Sequence, residues 1–213
     1  MTDSYSEDDQ LEQLKTWWKT YGNALLLGIA LGLSILVGNK YWSQHKQERA
    51  EAASAIYDGL VDNYRDKAFD KVREASDSLK GDYAATPYAG LAAMILARVS
   101  LEEGKKDDAR RELQWTLDNA TDDGIKHAAR LRLARIVADA GEVDAALSLL
   151  DVSDIIGFEL DYHELRGDLT AIKGDKQSAR EAYRMALQEL DEFSPYKSTL
   201  GMKLDALGPE VSE

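Results

Sequence analysis

Hydrophobic and polar residues divide this chain into two parts with very different patterns. Between Lys19 and Lys40, twenty consecutive residues carry no charge and are mostly apolar (TYGNALLLGIALGLSILVGN). An α-helix rises about 1.5 Å per residue, so this stretch spans roughly 30 Å, the thickness of a bilayer's hydrocarbon core. Charged residues are dense before this stretch and through most of the chain after it. The pattern therefore predicts a short tail, one transmembrane helix and a large polar body.

Aromatic residues flank the apolar stretch at both ends. They are Trp17, Trp18 and Tyr21 on one side and Tyr41 and Trp42 on the other. Such amphipathic rings favour the headgroup level, where a spanning helix carries them. The alternatives are a buried core helix and the apolar region of a cleaved signal peptide. A signal region is usually about 7–15 residues long and ends in a small-residue cleavage site, and neither feature fits here. An uncleaved membrane anchor is the favoured interpretation.

Basic residues on either side of the anchor do not settle its orientation. They are Lys15 and Lys19 before it and Lys40, Lys46 and Arg49 after it. By count, the positive-inside rule slightly favours a cytoplasmic C-terminal side, but long domains translocate largely regardless of local charge. From charge alone, both orientations stay open.

Small residues recur on one face of the anchor. Ala24, Gly28 and Gly32 follow one another at a spacing of four residues. Small residues at this spacing allow a second membrane helix to approach closely. Glycine is frequent in membrane helices, so the same spacing also occurs without a partner. The functional interpretation is a helix-packing surface within the membrane.

In the body, apolar residues recur at helical spacing and no stretch alternates as a strand would. Gly104, Gly141 and Gly174 lie 37 and 33 residues apart, close to the period of about 34 residues of a tetratricopeptide helix pair. Each glycine is followed by an alanine five residues later and preceded by a small residue seven residues earlier, where two helices would cross. These residues are Ala109, Ala146 and Ala179, and Ala97, Ala134 and Gly167.

The repeat predicts helix pairs at about residues 46–80, 87–119, 124–151 and 157–190. The first pair keeps the rhythm more weakly, with Asn63 in the glycine position and Ala68, Val72 and Ala75 after it. An ordinary alanine-rich antiparallel bundle would also have glycine turns, but three units with shared offsets favour a tandem repeat. The predicted fold class is all-α: a single N-terminal transmembrane helix followed by a degenerate tetratricopeptide-like helical-repeat solenoid.

No motif in the chain points to catalysis, a cofactor, a metal or a small-molecule substrate. There are no cysteines, and none of the three histidines has a second histidine at the spacing of a zinc site. The acidic pairs lie in tails or turns of a chain with net charge −13, where they are more often solvated than catalytic. That charge, without a basic stripe, argues against nucleic acid. Because stacked helix pairs form a concave face that binds protein segments, recognition is predicted rather than reaction.

Alignment of the repeats on their glycines predicts an inner face for protein binding. Its residues are Leu91, Met94, Arg98, Leu131 and Arg135. Hydrophobic side chains beside arginines suit an apolar or acidic segment of a partner. The alternative for Leu91, Met94 and Leu131 is an ordinary place in the hydrophobic core.

Three segments of the chain resemble the YfgM family of bacterial inner-membrane proteins. They read EQLKTWWKTYGNALLLGIALGLSILVGNKYW, LRLARIVADAGEVDAALSLLD and ELRGDLTAIKGDKQSAREAYRMAL. The resemblance extends over about residues 10–207, and its most specific pieces are residues 131–135, 165–168 and 174–177. It implies one N-terminal anchor and a tetratricopeptide-like body, with no catalytic residues.

The resemblance also implies a function, partners and a topology. The function is that of an ancillary subunit of the SecYEG translocon that helps pass exported protein chains to periplasmic chaperones such as PpiD. The topology is a cytoplasmic tail (residues 1–19), a transmembrane helix (20–42) and a periplasmic body (43–213) in the inner membrane. The alternative function is a regulatory adaptor that restrains an envelope-stress signalling system.

Overall fold

The computed structural model describes residues 4–209, with the backbone alone for residues 4–10, 24, 25, 29 and 30. It divides into two compact units, Met1–Arg49 and Ala50–Glu213. No strand occurs between residues 4 and 209, so the predicted all-α class is confirmed. The division at Arg49 follows from contacts within the protein, and it does not mark where the chain would enter or leave a lipid bilayer. The predicted limits of the tail, membrane helix and body therefore stay predictions.

The first unit is the part of helix α1 (Ser4–Arg65) up to Arg49, and the large apolar side chains described in it are exposed. Leu27 and Leu31 are 71% and 67% exposed. Within the described residues, one helical stretch is long and apolar enough to cross a membrane, with a mean hydropathy of 1.2 over 18 residues and none of them buried. In water, each exposed leucine side chain lacks the stabilisation of about 1.5–3 kcal/mol that full burial would give. This segment therefore needs an apolar environment from outside the chain.

Two of the three predicted packing residues of the anchor are described. At Gly28 and Gly32, the position of a Cβ would meet nothing within 4 Å beyond the helix's own backbone. The side chain of Ala24 lies outside the described residues. Their role in helix packing stays a prediction.

The second unit consists of antiparallel helix pairs. The helices after α1 are α2 (Phe69–Asp82), α3 (Pro87–Glu102), α4 (Lys106–Asn119), α5 (Asp123–Asp139), α6 (Val143–Leu149), α7 (Glu159–Ile172), α8 (Lys176–Gln188) and α9 (Tyr196–Ala206). In the three pairs from α3 to α8, the second helix contacts its own first helix, and in the first pair α1 and α2 share a hydrophobic cluster. Helices α2, α4, α6 and α8 also contact the first helix that follows, and α3 contacts α5 as α5 contacts α7.

The turn within each pair requires a left-handed backbone conformation. Gly104, Gly141 and Gly174 have φ values of +76°, +87° and +82°, as their position after a helix end predicts. In the first pair the prediction is wrong: the turn lies at Lys67, with φ +56°, and not four residues earlier at Asn63. A lysine in this conformation escapes a search for glycines. With the turn at Lys67, that pair joins the register of the others.

Small residues allow the two helices of a pair to cross closely. Ala97 and Ala134 are 2% and 0% exposed. At Gly167, a Cβ would lie 2.5 Å from the ring of Tyr183 on α8, closer than carbon atoms pack. In these three pairs, a small residue therefore lies at the predicted crossing position, as the repeat requires.

Helix α9 lies beyond the last predicted pair and repeats the first helix of a further one. Gly208 comes after it with φ +79°, 34 residues after Gly174. Gly201 stands seven residues before Gly208, in the crossing position, but nothing lies within 4 Å of its Cβ position. On its other side α9 buries Leu200 against Tyr183 and neighbouring residues. Helix α9 thus covers the end of the α7–α8 pair, as a capping element of a repeat array does.

Arginines six residues after three of the turns hold each pair to the next turn along the chain. Arg73 pairs with Glu103 at 2.5 Å, and Arg110 pairs with Glu142 at 2.7 Å. Arg180 donates to the carbonyl oxygen of Gly208 at 2.9 Å. Exposed ion pairs contribute about 0–1 kcal/mol each. Their regular placement therefore matters more for the register of the stack than for its stability.

Candidate protein-binding groove

A groove of about 470 Å³ crosses the first helices of three successive pairs in the second unit. Its floor is apolar and comes mainly from α3, while arginines of α3 and α5 stand along it. We call it the α3–α5 groove. It is lined by Tyr57, Leu91, Met94, Ile95, Ala97, Arg98, Leu101, Leu113, Arg132, Arg135 and Ile136.

Four of the five residues predicted for the inner face meet in this groove: Leu91, Met94, Arg98 and Arg135. Leu131 does not join them, since it is 4% exposed and packs in the core with residues of α5 and α7. Leu131 occupies the same repeat position as Met94, ten residues before the turn. It is buried because α5 is packed between α3 and α7.

Two lining residues that sequence reasoning missed were detectable in principle. Arg132 lies three residues before Arg135, so both share one face of α5. Tyr57 lies ten residues before Lys67, the repeat position of Met94. The misplaced turn of the first pair hid that correspondence.

The groove carries positive charge without matching negative charge. Arg132 and Arg135 form no hydrogen bond or ion pair within the described part of the chain. Burial, and then the like charges of Arg135 and Arg98, lowers the pKa of Arg132 from its ordinary value. Arginine nevertheless stays protonated at neutral pH. The groove is therefore a basic site on a chain with net charge −13.

Arg98 is the one arginine of the three that has partners in the described residues. Its Nε lies 3.2 Å from a carboxylate oxygen of Glu102, and its guanidinium lies 5.5 Å from the ring centre of Tyr64. The hydroxyl of Tyr64 donates to Glu102 at 2.5 Å. This hydrogen bond raises the pKa of Tyr64 and lowers that of Glu102. The polar groups at this edge of the groove therefore find their hydrogen-bond and ionic partners within the chain.

A second charged group, the Lys203 cluster, lies where α9 covers α7 and α8. We define it as Glu164, Asp168, Tyr183, Tyr196 and Lys203. The Lys203 ammonium donates to Glu164 at 2.7 Å and to Asp168 at 2.7 and 2.8 Å. Tyr196 donates to Glu164 at 2.8 Å, and Tyr183 donates to Asp168 at 2.7 Å. Each carboxylate of the cluster therefore accepts hydrogen bonds from the Lys203 ammonium and from one tyrosine hydroxyl.

The pKa shifts in the Lys203 cluster reflect this pairing. Burial acts to lower the pKa of Lys203, but its hydrogen bonds to Asp168 and Glu164 outweigh burial and the pKa is raised. Burial, and then the hydrogen bond to Asp168, raises the pKa of Tyr183. The hydrogen bond to Glu164, and then burial, raises the pKa of Tyr196.

Comparison with known proteins assigns the chain to a family. The family described as tetratricopeptide repeat-like domain matches residues 15–209. A relative from Escherichia coli K12, named ancillary SecYEG translocon subunit, is 31% identical over 95% of this chain and 97% of its own. Relatives of the same name from Haemophilus influenzae and Neisseria gonorrhoeae are 29% and 28% identical, over 88% and 94% of this chain and 92% and 97% of their own. The chain belongs to the YfgM family.

Membership of the YfgM family confirms the resemblance and the tetratricopeptide-like fold. The family match covers the groove and the Lys203 cluster, so both lie within the shared domain. A repeat domain of this kind points to an adaptor that recognises other proteins. The binding role of the individual groove residues stays a prediction.

One histidine of this YfgM-family chain, His127, contacts side chains on two other segments. His127 shares a hydrogen bond of 2.8 Å with the hydroxyl of Tyr162 and stacks on Phe158 at 4.9 Å between ring centres. Among the side chains that the structure describes, no group of three histidine or acidic residues is arranged to hold a metal ion. His127 therefore ties the start of α5 to α7 and to the loop before it.

Proposed function

We propose that this protein is a single-pass inner-membrane adaptor of the SecYEG translocon and not an enzyme. The observation that carries the proposal is the α3–α5 groove, a basic and apolar site on an acidic repeat domain. The name shared by its relatives, ancillary SecYEG translocon subunit, supports the place of action. The exposed apolar segment of α1 supports the attachment to a membrane.

In the proposed topology, residues 1–19 lie in the cytoplasm, residues 20–42 span the membrane, and residues 43–213 form a periplasmic body. Ala24, Gly28 and Gly32 would face a partner helix within the membrane. A reporter fused after Glu213 tests the topology. Activity only in the periplasm supports it, whereas activity only in the cytoplasm contradicts it.

The body would receive exported protein chains and bring them to a periplasmic chaperone such as PpiD. The proposed binding residues are Leu91, Met94, Arg98 and Arg135, with Leu131 supporting them from the core. Apolar side chains next to arginines provide both burial and charge, the two contributions that bind an amphipathic segment. The mechanism requires no cofactor and no small-molecule substrate.

Co-purification tests the groove as the binding site. Arg98→Glu combined with Arg135→Glu should reduce recovery of partner proteins from solubilised membranes while anchoring stays intact. The control is Arg65→Glu combined with Arg111→Glu. It makes the same change of charge at arginines that are 71% and 72% exposed and outside the groove. Equal recovery with both double variants would contradict the proposal.

The regulatory adaptor remains the second candidate, because a groove of this kind also suits one dedicated partner. Crosslinking from the groove in living cells separates the two functions. Many exported chains among the products support delivery to chaperones. One stable signalling protein as the main product supports the regulator.

A further inference from the structure

We infer that the α3–α5 groove recognises an acidic amphipathic segment of a partner protein, with carboxylates against α5 and apolar side chains against α1 and α3. The inference rests on the proposed function, in which this groove binds protein, and adds the chemistry of the bound segment. It excludes purely apolar and basic segments.

The first argument is the missing counter-charge. Arg132 and Arg135 lie three residues apart on one face of α5, and neither has an acidic partner within the described residues. Several other basic residues of the body do have such partners, such as Lys80, Arg110 and Lys173. The chain has 39 acidic and 26 basic residues, so acidic partners are plentiful. Arginines left unpaired at a groove therefore favour an anionic occupant from another molecule.

The second argument comes from the same positions two pairs along. The residues ten and six before the turn are Met94 and Arg98 in the second pair, and Glu164 and Asp168 in the fourth. In the fourth pair, Lys203 of the next helix supplies the opposite charge at 2.7 Å from both carboxylates. On α5 the residue six before the turn is Arg135, and no following helix supplies a carboxylate to it within the described chain. Helix α9 supplies the opposite charge to α7 within this chain, and a partner protein would supply the opposite charge to α5.

The third argument is the arrangement of the lining. Leu91, Met94 and Ile95 are half-buried on α3 and leave apolar surface open beside the arginines. Tyr57 lines the groove from α1, and burial raises the pKa of its hydroxyl. The groove is thus mainly apolar at its α1 and α3 parts, where Arg98 is already paired with Glu102, and it carries its unpaired positive charge at its α5 part. A helical segment with leucines on one stripe and glutamates beside them matches this order.

The test uses the full chain in phosphatidylcholine nanodiscs and fluorescent peptides of about fourteen residues, roughly four helical turns. The acidic peptide has leucines on one stripe and glutamates beside them. The basic peptide has lysine in place of each glutamate. The polar peptide keeps the glutamates and has serine in place of each leucine. Fluorescence anisotropy gives the dissociation constant of each peptide.

The acidic peptide should bind more tightly than both others, and its affinity should fall as salt is raised from about 50 to about 300 mM. Arg132→Glu combined with Arg135→Glu should weaken the acidic peptide about tenfold or more and should give the basic peptide measurable affinity. The control, Arg65→Glu combined with Arg111→Glu, should change neither. The gain of basic-peptide binding shows that the groove variant is folded.

Equal binding of acidic and basic peptides to the native chain would overturn the inference. So would loss of the acidic peptide without gain of the basic one. If phosphatidylglycerol in the nanodisc abolishes peptide binding at constant salt, a lipid headgroup is the preferred occupant and the inference is also overturned. In each case, co-purification that still depends on Arg98 and Arg135 would leave the proposed function standing.

Discussion

The α3–α5 groove and the Lys203 cluster use equivalent positions of the same repeat in opposite ways. In the groove, arginines of α5 face an open apolar channel and have no partner in the described residues. In the cluster, Glu164 and Asp168 of α7 are closed over by α9 and share Lys203. The α5 arginines of the groove remain available to a partner, whereas the charged groups of the Lys203 cluster are paired with one another within the fold.

This difference separates charge that serves recognition from charge that serves folding. A partly buried carboxylate without a cation costs free energy, so the loss of one member of the Lys203 cluster should weaken the packing of α9. Arg132 and Arg135 keep exposed side chains at the open groove, so the lack of an ion partner costs them less than it would cost Glu164. Substitutions in the cluster should therefore affect stability, whereas substitutions in the groove should affect binding.

The largest expected effect is that of Lys203→Met. It leaves Glu164, which is 9% exposed, and Asp168 without their cation. We expect a loss of about 2–4 kcal/mol in the free energy of unfolding, toward the lower end because Lys203 keeps some solvent contact. Urea unfolding of the full chain in detergent, followed by circular dichroism, measures it.

Two controls sharpen this comparison. Lys197→Met, on the same helix but without an ion pair in the described residues, should cost less than about 0.5 kcal/mol. Arg135→Met in the groove should be equally mild. A loss at Arg135 as large as that at Lys203 would remove the distinction between the two regions.

The next effect concerns the crossing position of the fourth pair and of α9. Gly167→Ala places a methyl group 2.5 Å from the ring of Tyr183 and should cost about 1–3 kcal/mol through overpacking. Gly201→Ala meets nothing within 4 Å and should stabilise the chain by up to about 1 kcal/mol through helix propensity.

Thermal or urea unfolding of both alanine variants distinguishes a covered crossing position from an open one. Equal destabilisation at Gly167 and Gly201 would show that a second helix also covers α9. That result would contradict the view of α9 as the capping helix.

The third effect is a pH dependence of the Lys203 cluster. The pKa of Lys203 is raised above its ordinary value of 10.5. Its contribution to stability is therefore fully present below about pH 10.5 and is lost as the pH rises through the raised pKa. The stability difference between the native chain and Lys203→Met should shrink by on the order of 1 kcal/mol per pH unit in that range.

Urea unfolding of both proteins between pH 8 and the alkaline range measures this difference. The raised pKa of Tyr183 lowers the stability of both proteins at alkaline pH, because the phenol ionises more readily in the unfolded chain, so the comparison isolates the contribution of Lys203. A difference that grows with pH would show that the cluster is assembled differently.

The smallest effect tests the register that brings Tyr57 into the groove. Lys67 has φ +56°, where glycine is unstrained and lysine is not. Lys67→Gly should stabilise the body by about 0.5 kcal/mol, since relief of strain is partly offset by a more flexible unfolded chain. Gly141→Ala, at the same repeat position with φ +87°, should instead destabilise by about 1 kcal/mol. Urea midpoints of the two variants that move in the same direction would contradict the shared register.

Much of the fold could be predicted from the sequence because its signals are local. Glycine turns, crossing residues and the uncharged stretch each depend on neighbouring residues. Lys67 was missed because lysine is not a residue type that marks a left-handed backbone conformation. Helix α9 was missed because its unit has Gly208 but no second helix in the described chain to complete the pattern.

The groove was predicted in part for a related reason. Alignment on the turns correctly predicted that Met94 and Arg98 of α3 lie next to each other at the groove. It treated Leu131 as equivalent to Met94, although α7 covers Leu131 and no described helix covers Met94 to the same extent. Repeat position alone does not determine exposure, because neighbours on both sides bury the helices in the middle of a stack.

The most direct test of the central claim compares photo-crosslinking from two methionine positions in the full chain during protein export into membrane vesicles. Met94 is half-buried in the groove, whereas Met202 is 63% exposed on α9. If unpaired charge beside apolar surface selects the partner, the photoreactive residue at position 94 captures exported chains or chaperones and that at position 202 does not. Crosslinks that depend on exposure instead, strong at position 202 and weak at position 94, would contradict the account.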